Sequence, residues 1–448
     1  MLNDELLQVI QTYLEEKSLK KIKDILSKWP VADVAELLQN IDEKNMIIIF
    51  RLLPKDKAID VFAELDKESQ EKLLKMMSDQ RIKEIISELP PDDRTELFED
   101  LPGQLQQRLL NMLSSDDRRE VLKLLGYPKN SVGRLMTPDY VAVRSHWTVK
   151  EAIEHIRQRG RDAETIDIIY VVNDDWRLLD DVPIRRFILA DAEQKVEMLM
   201  DYHVISISAY ADQEEAVKIM QQYDLTVLPV VDEDGILIGI VTIDDILDVL
   251  EEEVTEDFQK GSAIIPFEES YIKASPFFLY RKRAGWLLLL LVADFLSSNV
   301  IAHFEDALRM VIALAFFIPV LIDSGGNTAS QSATLVIRAI ATGELNIRRW
   351  FDVVKKELIT GLLLGITLGV ALFLRSFFWK GGPEIGLVVG ISMVAIVVWA
   401  NLLGSLLPII LTKLKLDPAV ISAPLLTTLC DATGLIIYFH IAKLLLKI

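Results

Sequence analysis

One acid, Asp431, stands near the middle of the last apolar stretch of this chain, Ala419 to Leu446. A carboxylate at membrane depth is costly to keep, so its presence points to an ion path. Around it runs Thr427-Thr428-Leu429-Cys430-Asp431-Ala432-Thr433-Gly434, where hydroxyl groups supply oxygen donors and small residues permit close packing. No basic residue in that stretch lies within a helical turn of it. An earlier apolar stretch is interrupted after Pro319 by Asp323-Ser324-Gly325-Gly326-Asn327-Thr328, a second set of oxygen groups. Asp294, with Ser297, Ser298 and Asn299, is a weaker candidate, because one amphipathic edge of a packed helix explains it equally well. Softer ligands are scattered: His146, His155, His203, His303 and His440 form no close set and Cys430 is alone, which disfavours zinc or copper. Hard cations remain. Magnesium gives up its waters reluctantly, so a ring of carboxylates can recognise it with its hydration shell retained. At this level magnesium, calcium and manganese all stay open.

A second group of acids lies outside the apolar part. From Asp244 to Asp257 the chain carries Asp244, Asp245, Asp248, Glu251, Glu252, Glu253, Glu256 and Asp257. On a helix these fall on neighbouring turns, where like charges repel unless a counterion joins them. Earlier, Asp92, Asp93, Glu96, Glu99 and Asp100 form another acidic run. Each group has two readings, a solvated face or a docking face for cations. Just before the membrane part, a helix at 244–257 could also transmit domain movement to a pore.

The elements that position these groups follow from charge and periodicity. Residues 1–270 hold 57 Asp and Glu against 32 Lys and Arg, whereas residues 271–448 hold 10 against 16. An acidic soluble body therefore precedes a membrane domain. That acidity argues against a nucleic-acid partner, which needs a basic surface. The single cysteine allows no intrachain disulfide, and Met1 to Lys20 lacks the uninterrupted apolar core of a signal peptide. The N-terminal body is expected in the cytoplasm.

Ile41, Leu53, Leu65, Met77, Leu89, Leu101 and Leu113 recur every twelve residues, each followed by Asp, Ser or Pro, the residues that open helices. Such short helices cannot bury an apolar face alone, so residues 1–130 are expected to stack into an all-α superhelix. Residues 131–250 hold a second repeat, because Glu151-Ala152 recurs as Glu215-Ala216 at the start of a second strand-helix-strand-strand-helix unit. Its second copy ends in Gly239-Ile240-Val241-Thr242-Ile243-Asp244-Asp245, which resembles the signature of paired cystathionine-β-synthase (CBS) domains. In the first copy Asp180 replaces the signature glycine and Pro183 the hydroxyl residue. By this resemblance Thr242 and Asp244 are candidate contacts for ATP or another adenine nucleotide.

Residues 251–276 form an acidic connecting helix and linker, and 277–448 an α-helical membrane domain. Five apolar spans can be placed at Ala284–Ala302, Ala307–Ala341 with a break, Leu358–Phe378, Ile385–Leu411 and Ala419–Leu446. The Gly-Gly run predicts a broken helix beside the ion route, with a loop at the cytosolic face as the alternative. Positive charges orient the spans with the N-terminus in the cytosol: Arg281, Lys282 and Arg283 precede the first, Arg338, Arg348, Arg349, Lys355 and Lys356 follow the second, and Lys413 and Lys415 follow the fourth. The far side shows Arg309, Arg375 and Lys380 between spans.

This order of superhelix, CBS pair, acidic helix and five spans, with Pro319-Val320-Leu321, Gly325-Gly326-Asn327-Thr328 and Asp431-Ala432-Thr433-Gly434, resembles the MgtE family of magnesium channels. The resemblance selects magnesium. It implies a homodimer in the plasma or inner membrane, whose second and fifth spans line one pore. Asp431 of both subunits would form the selectivity ring, with Asn327, Thr428, Gly325 and Gly326 nearby. It further implies that Asp417 meets the linker helix through a metal ion. Regulatory Mg2+ would then be held by Asp92, Asp93, Glu96, Asp245, Asp248, Glu253, Glu256, Asp257 and Asp417. This chain has Ala329 and Ser330 where the family pattern often has glycine and asparagine.

The leading expectation is a passive, magnesium-selective channel closed by cytosolic magnesium. No phosphate-binding GxxxxGK[ST] loop occurs, which argues against ATP-driven pumping, and no nucleophile-base pair suggests an enzyme. Two rivals are a nucleotide-binding CBS membrane sensor without conduction and a coupled divalent-cation exchanger.

Overall fold

The computed structural model describes residues 4–448 except 17, 268–270, 273, 343, 346–348 and 379–381, and leaves the side chains of residues 4–7, 15 and 100 undescribed. Arg348, Lys380 and the Asp100 side chain therefore lie outside the described residues. The chain divides into two compact units, Met1–Leu250 and Glu251–Ile448.

In the first unit the twelve-residue repeat becomes a row of short helices, Glu43–Leu52, Lys55–Ala63, Lys67–Met76, Asp79–Glu88, Pro91–Asp100, Gly103–Leu110 and Ser115–Leu124. Leu53, Leu65, Met77, Leu89 and Leu113 are buried between them. Each buried leucine contributes about 2 kcal/mol. Asp42, Asp66 and Ser114 cap their helices by accepting backbone N–H groups, while Pro54, Pro90 and Pro102 occupy the cap position itself rather than the first helical turn.

Two three-stranded sheets follow, with orders β1-β2-β3 and β4-β5-β6. The strands are β1 (Ala142–Arg144), β2 (Ile168–Val172), β3 (Leu178–Pro183), β4 (Ile207–Ser208), β5 (Val227–Val231) and β6 (Leu237–Thr242). In each sheet the first pair is parallel and the second antiparallel. Gly239 pairs with Val230 as Asp180 pairs with Val171, so the two copies share one register. The glycine is needed for space, since a Cβ there would lie 2.8 Å from Met136 Sδ. Asp180 is instead buried, and its carboxylate accepts the N–H groups of Asp201 at 2.7 Å and Tyr202 at 3.1 Å. The first copy thus spends the position on holding its own loop. The helix after β6 runs unbroken from Ile243 to Gly261, carrying the acidic run.

The second unit contains five helices long and apolar enough to cross a bilayer, Pro276–His303, Ile312–Ala341, Trp350–Phe377, Gly382–Lys413 and Ala423–Leu446, here called spans 1 to 5. Glycine spacing joins spans 3 and 4. Gly361, Gly365 and Gly369 lie on one face of span 3, and a Cβ at Gly369 would come within 2.7 Å of the Gly390 carbonyl oxygen.

Span 2 corrects both sequence expectations for its polar run. The backbone is α-helical from Ile318 to Ala341, straight through Asp323–Thr328, and the irregular part is the 3-10 turn Ile312–Phe317 before it. Glycine weakens a helix by about 1 kcal/mol relative to alanine, but here it permits contact. A Cβ at Gly325 would lie 2.9 Å from Ile396 of span 4, and one at Gly326 would lie 2.8 Å from Thr427 of span 5. Within the run, Thr328 donates to the Ser324 carbonyl at 2.8 Å and Asn327 to Asp323 at 3.2 Å.

Candidate functional site

Asp431 opens onto a pocket of about 650 Å³ walled by spans 1, 2 and 5. Span 5 contributes Pro424, Thr427, Thr428 and Asp431, and span 1 contributes Leu287, Leu290, Leu291 and Asp294. Both sets follow the i, i+3, i+4, i+7 spacing that puts side chains on one helical face. Span 2 adds Asn327 and Ser330. Asp431 is half-buried, and its Oδ1 is inaccessible to solvent and accepts no hydrogen bond among the described residues. The charges it feels are those of Asp294 and Asp323. The wall therefore carries two carboxylates, Asp431 and Asp294, with the side-chain oxygens of Asn327, Ser330, Thr427 and Thr428 set among apolar residues. Asn327 and Thr428 line this pocket as the sequence suggested, whereas Gly325 and Gly326 are buried in helix contacts beside it. Asp294, a weaker sequence candidate, belongs to the wall.

The fifth span is also held by neutral hydrogen bonds. Trp399 Nε1 donates to Thr433 Oγ1 at 3.0 Å, and the Tyr438 hydroxyl to the Leu314 carbonyl at 2.9 Å.

In the first unit, a cluster of carboxylates gathers where the helix Pro91–Asp100 meets the start of the helix Ile243–Gly261. Asp92 is 8% exposed, and burial together with Asp245 and Asp93 pushes its carboxyl well above the ordinary range. Burial, then the charges of Glu96, Glu164, Asp244 and Glu64, push Asp93 up to about 7. Burial also raises Asp245 to about 7, against the hydrogen bond its Oδ2 accepts from Thr242 Oγ1 at 2.8 Å. Glu164 is raised too, by burial and by Asp244 and Asp139. The sequence had not singled out Glu164, an isolated acid in a polar loop. Thr242 is buried and tied to Asp245, while Asp244 is exposed. Asp248 is exposed on the same helix, one turn further on.

The second unit brings two more of the candidate ligands together around a cation of the chain's own. Lys260 Nζ lies 2.7 Å from Glu256 Oε1 and 2.7 Å from Asp417 Oδ2. Partial burial pulls the ammonium's pKa down, but the hydrogen bonds to Asp417 and Glu256 outweigh it and hold the group above its ordinary value. Asp417 Oδ1 meanwhile caps the turn Pro418–Val420, accepting the Ala419 N–H at 2.8 Å. Glu253 is half-buried and Asp257 exposed on the connecting helix. Among the described residues, no three His, Cys, Asp or Glu side chains converge closely enough to chelate a bare ion.

The chain matches three family models in order: the MgtE intracellular N domain over residues 29–130, the CBS domain over 132–193 and 196–252, and the MgtE divalent cation transporter domain over 318–441. It is 41% identical to the magnesium transporter MgtE of Thermus thermophilus, over the full length of both chains. It is 36% identical to the magnesium transporter MgtE of Bacillus subtilis, over 99% of this chain and 98% of that one. Among solved structures, the cytosolic domain of the Mg2+ channel MgtE in complex with ATP is 38% identical, covers 54% of this chain and 98% of its own, and superposes with a TM-score of 0.51. The soluble part of a magnesium transporter is 26% identical over 56% of this chain and 98% of its own, with a TM-score of 0.52.

Proposed function

The chain belongs to the MgtE family of magnesium transporters, and on that premise we propose that it is a passive, magnesium-selective channel whose cytosolic acids close it when magnesium is plentiful. The observation that carries this reading is the pocket beside Asp431, which brings Asp431, Asp294, Asn327, Ser330 and Thr428 to one opening. Six waters occupy about 180 Å³ at about 30 Å³ each. A fully hydrated magnesium ion therefore fits within about 650 Å³. A wall of oxygen groups suits an ion that keeps its waters, which is how magnesium differs from ions that shed them readily.

In a homodimer, two-fold symmetry would bring a second Asp431 to the same path and match the charge of a divalent ion. Asp431 attracts and selects, while Asn327, Thr428 and Ser330 accept or donate hydrogen bonds to the ion's waters. Gly325 and Gly326 let spans 4 and 5 approach span 2 closely. The membrane potential supplies the drive, at roughly 4.6 kcal/mol per 100 mV for a divalent cation, from about 2.3 per unit charge. Purified protein in vesicles is expected to admit Mg2+ under an imposed negative potential with no sodium or proton gradient. Entry that requires such a gradient would make the protein an exchanger, and nucleotide binding without entry would make it a sensor.

Closure falls to the cytosolic acids. Repulsion among Asp92, Asp93, Glu96, Asp245 and Asp248 would relax when Mg2+ bridges them, and Glu253, Glu256, Asp257 and Asp417 would do the same near the membrane. The ATP complex of the related cytosolic domain supports an adenine nucleotide as a modulator, and Thr242 and Asp244 are the contacts we propose for it.

Lys260 enters this scheme as a competitor for Glu256 and Asp417. Replacing it with glutamine should free both carboxylates, so that closure needs less cytosolic Mg2+. A partly exposed ion pair is worth about 0.2–1 kcal/mol, so the half-closing concentration should fall by a factor of about 1.5 to 5. Titrating Mg2+ entry against internal Mg2+ reads this directly, and an unchanged or higher concentration contradicts the competition.

A further inference from the structure

Span 3 carries a buried carboxylate that the ion pocket does not use. Glu357 is 9% exposed, and its Oε2 accepts hydrogen bonds from Ser332 Oγ at 3.0 Å and Asn401 Nδ2 at 2.7 Å. The Asn401 amide also reaches the Glu357 carbonyl at 2.7 Å, and Ser332 Oγ lies 3.1 Å from the Asn401 carbonyl oxygen. Ser332 and Asn401 are 3% and 2% exposed. Three spans thus meet at one side chain: Ser332 is on span 2, Glu357 on span 3 and Asn401 on span 4. Among the described residues no cation pairs with Glu357, so its acceptor is met by neutral donors alone.

A buried carboxyl group is costly unless it is hydrogen-bonded, and a purely apolar contact would join the helices without that demand. What the hydrogen bonds add is direction. On span 2, Ser332 lies about 200° around the helix from Ser330, at about 100° per residue. The clamp therefore grips the face opposite the one that meets the pocket. The same back face is located at Ala329, whose carbonyl a methyl group at Gly404 of span 4 would strike. Gly361, one turn along from Glu357, packs against Asn401, where a Cβ would come within 3.1 Å of Asn401 Cβ.

We infer that Glu357 is a positioning residue for ion passage: through Ser332 and Asn401 it fixes the rotation of span 2, so that Asn327 and Ser330 face the pocket beside Asp431. This rests on that pocket being the ion path. A slip of one residue would turn Asn327 about 100° away from it.

The test uses the full-length protein in vesicles with Cys430→Ala as background. Mg2+ entry is measured with Asn327 intact, and labelling by a water-soluble thiol reagent is measured in the same variants carrying Asn327→Cys as well. Glu357→Gln keeps an oxygen that can accept both hydrogen bonds, so entry within about threefold of the parent and unchanged labelling are expected. Glu357→Ala should lower entry at least tenfold and slow labelling at least threefold, in protein that still elutes as the parent does. Parental entry and labelling in Glu357→Ala overturns the inference, and so does a glutamine variant as impaired as the alanine one, because charge rather than placement would then matter. If the alanine variant does not fold, Ser332→Ala decides: entry and labelling both reduced at least twofold support the clamp, and parental values overturn it. Asp431→Ala separates the two ideas, since intact entry there removes the pore reading while the labelling still reports the placement of span 2.

Discussion

Replacing Asp431 with alanine is expected to reduce Mg2+ entry into reconstituted vesicles at least about tenfold while leaving the protein folded. The magnitude follows from charge. A divalent ion holding its first waters sits about 5 Å from the carboxylate, which is worth about 1.7 kcal/mol in bulk water and about 6.6 kcal/mol at an effective dielectric constant of 20. Even the lower figure exceeds one order of magnitude. Among the described residues nothing hydrogen-bonds to Oδ1, so the variant loses little that holds the helix, and Trp399 to Thr433 and Tyr438 to Leu314 remain. Entry of Mg2+, Ca2+ and Co2+ measured side by side reads both rate and selectivity. A rate within twofold of the parent would remove Asp431 from the path.

The second large effect concerns pH and the cytosolic cluster. Asp93 and Asp245 hold their protons up to about pH 7 in the folded protein, whereas an unfolded aspartate releases its proton near 3.8. Without a divalent ion, these groups therefore make the fold less stable as pH rises from about 4 to 7, with the penalty levelling off above. Mg2+ bound there would have to displace those protons, so its binding should be weak below pH 7 and strengthen above it. With both groups about nine-tenths protonated at pH 6, the half-saturating Mg2+ concentration should be about ten- to hundredfold higher at pH 6 than at pH 8. The thermal midpoint of the purified full chain, titrated with Mg2+ at both values, provides the measurement. Asp93→Asn combined with Asp245→Asn should abolish most of the pH dependence and stabilise the metal-free protein at pH 8. Equal Mg2+ requirements at the two pH values would contradict a role for this cluster.

Much of this was legible in the sequence where a pattern repeats locally. The twelve-residue spacing of Leu53, Leu65, Met77 and Leu89 marks one buried residue between successive helices, and the tandem signature aligns Gly239 with Asp180 as the strand pairing does. Other features depend on partners far along the chain. Gly325-Gly326 reads as a breaker by composition, yet it lies in an unbroken helix because Ile396 and Thr427 fill the space a Cβ would need. Lys260 and Asp417 are 157 residues apart, so nothing local announces that an ammonium sits between two candidate metal ligands. Glu164 gave no signal at all. Asp294 did: with Leu287, Leu290 and Leu291 it repeats the spacing of Pro424, Thr427, Thr428 and Asp431. The glycines at 361, 365 and 369 are equally readable as a helix-packing face.

One pathway lined by intramembrane acids and shut by cytosolic ones should respond to a single ion on both counts. The most direct test is the Mg2+ current through the purified protein in excised bilayer patches, as cytosolic Mg2+ is raised stepwise under a fixed potential with no sodium or proton gradient. A Mg2+ current that flows at low cytosolic Mg2+ and falls steeply and cooperatively as the concentration rises is the predicted result. A current indifferent to cytosolic Mg2+, or none under any potential, would contradict it.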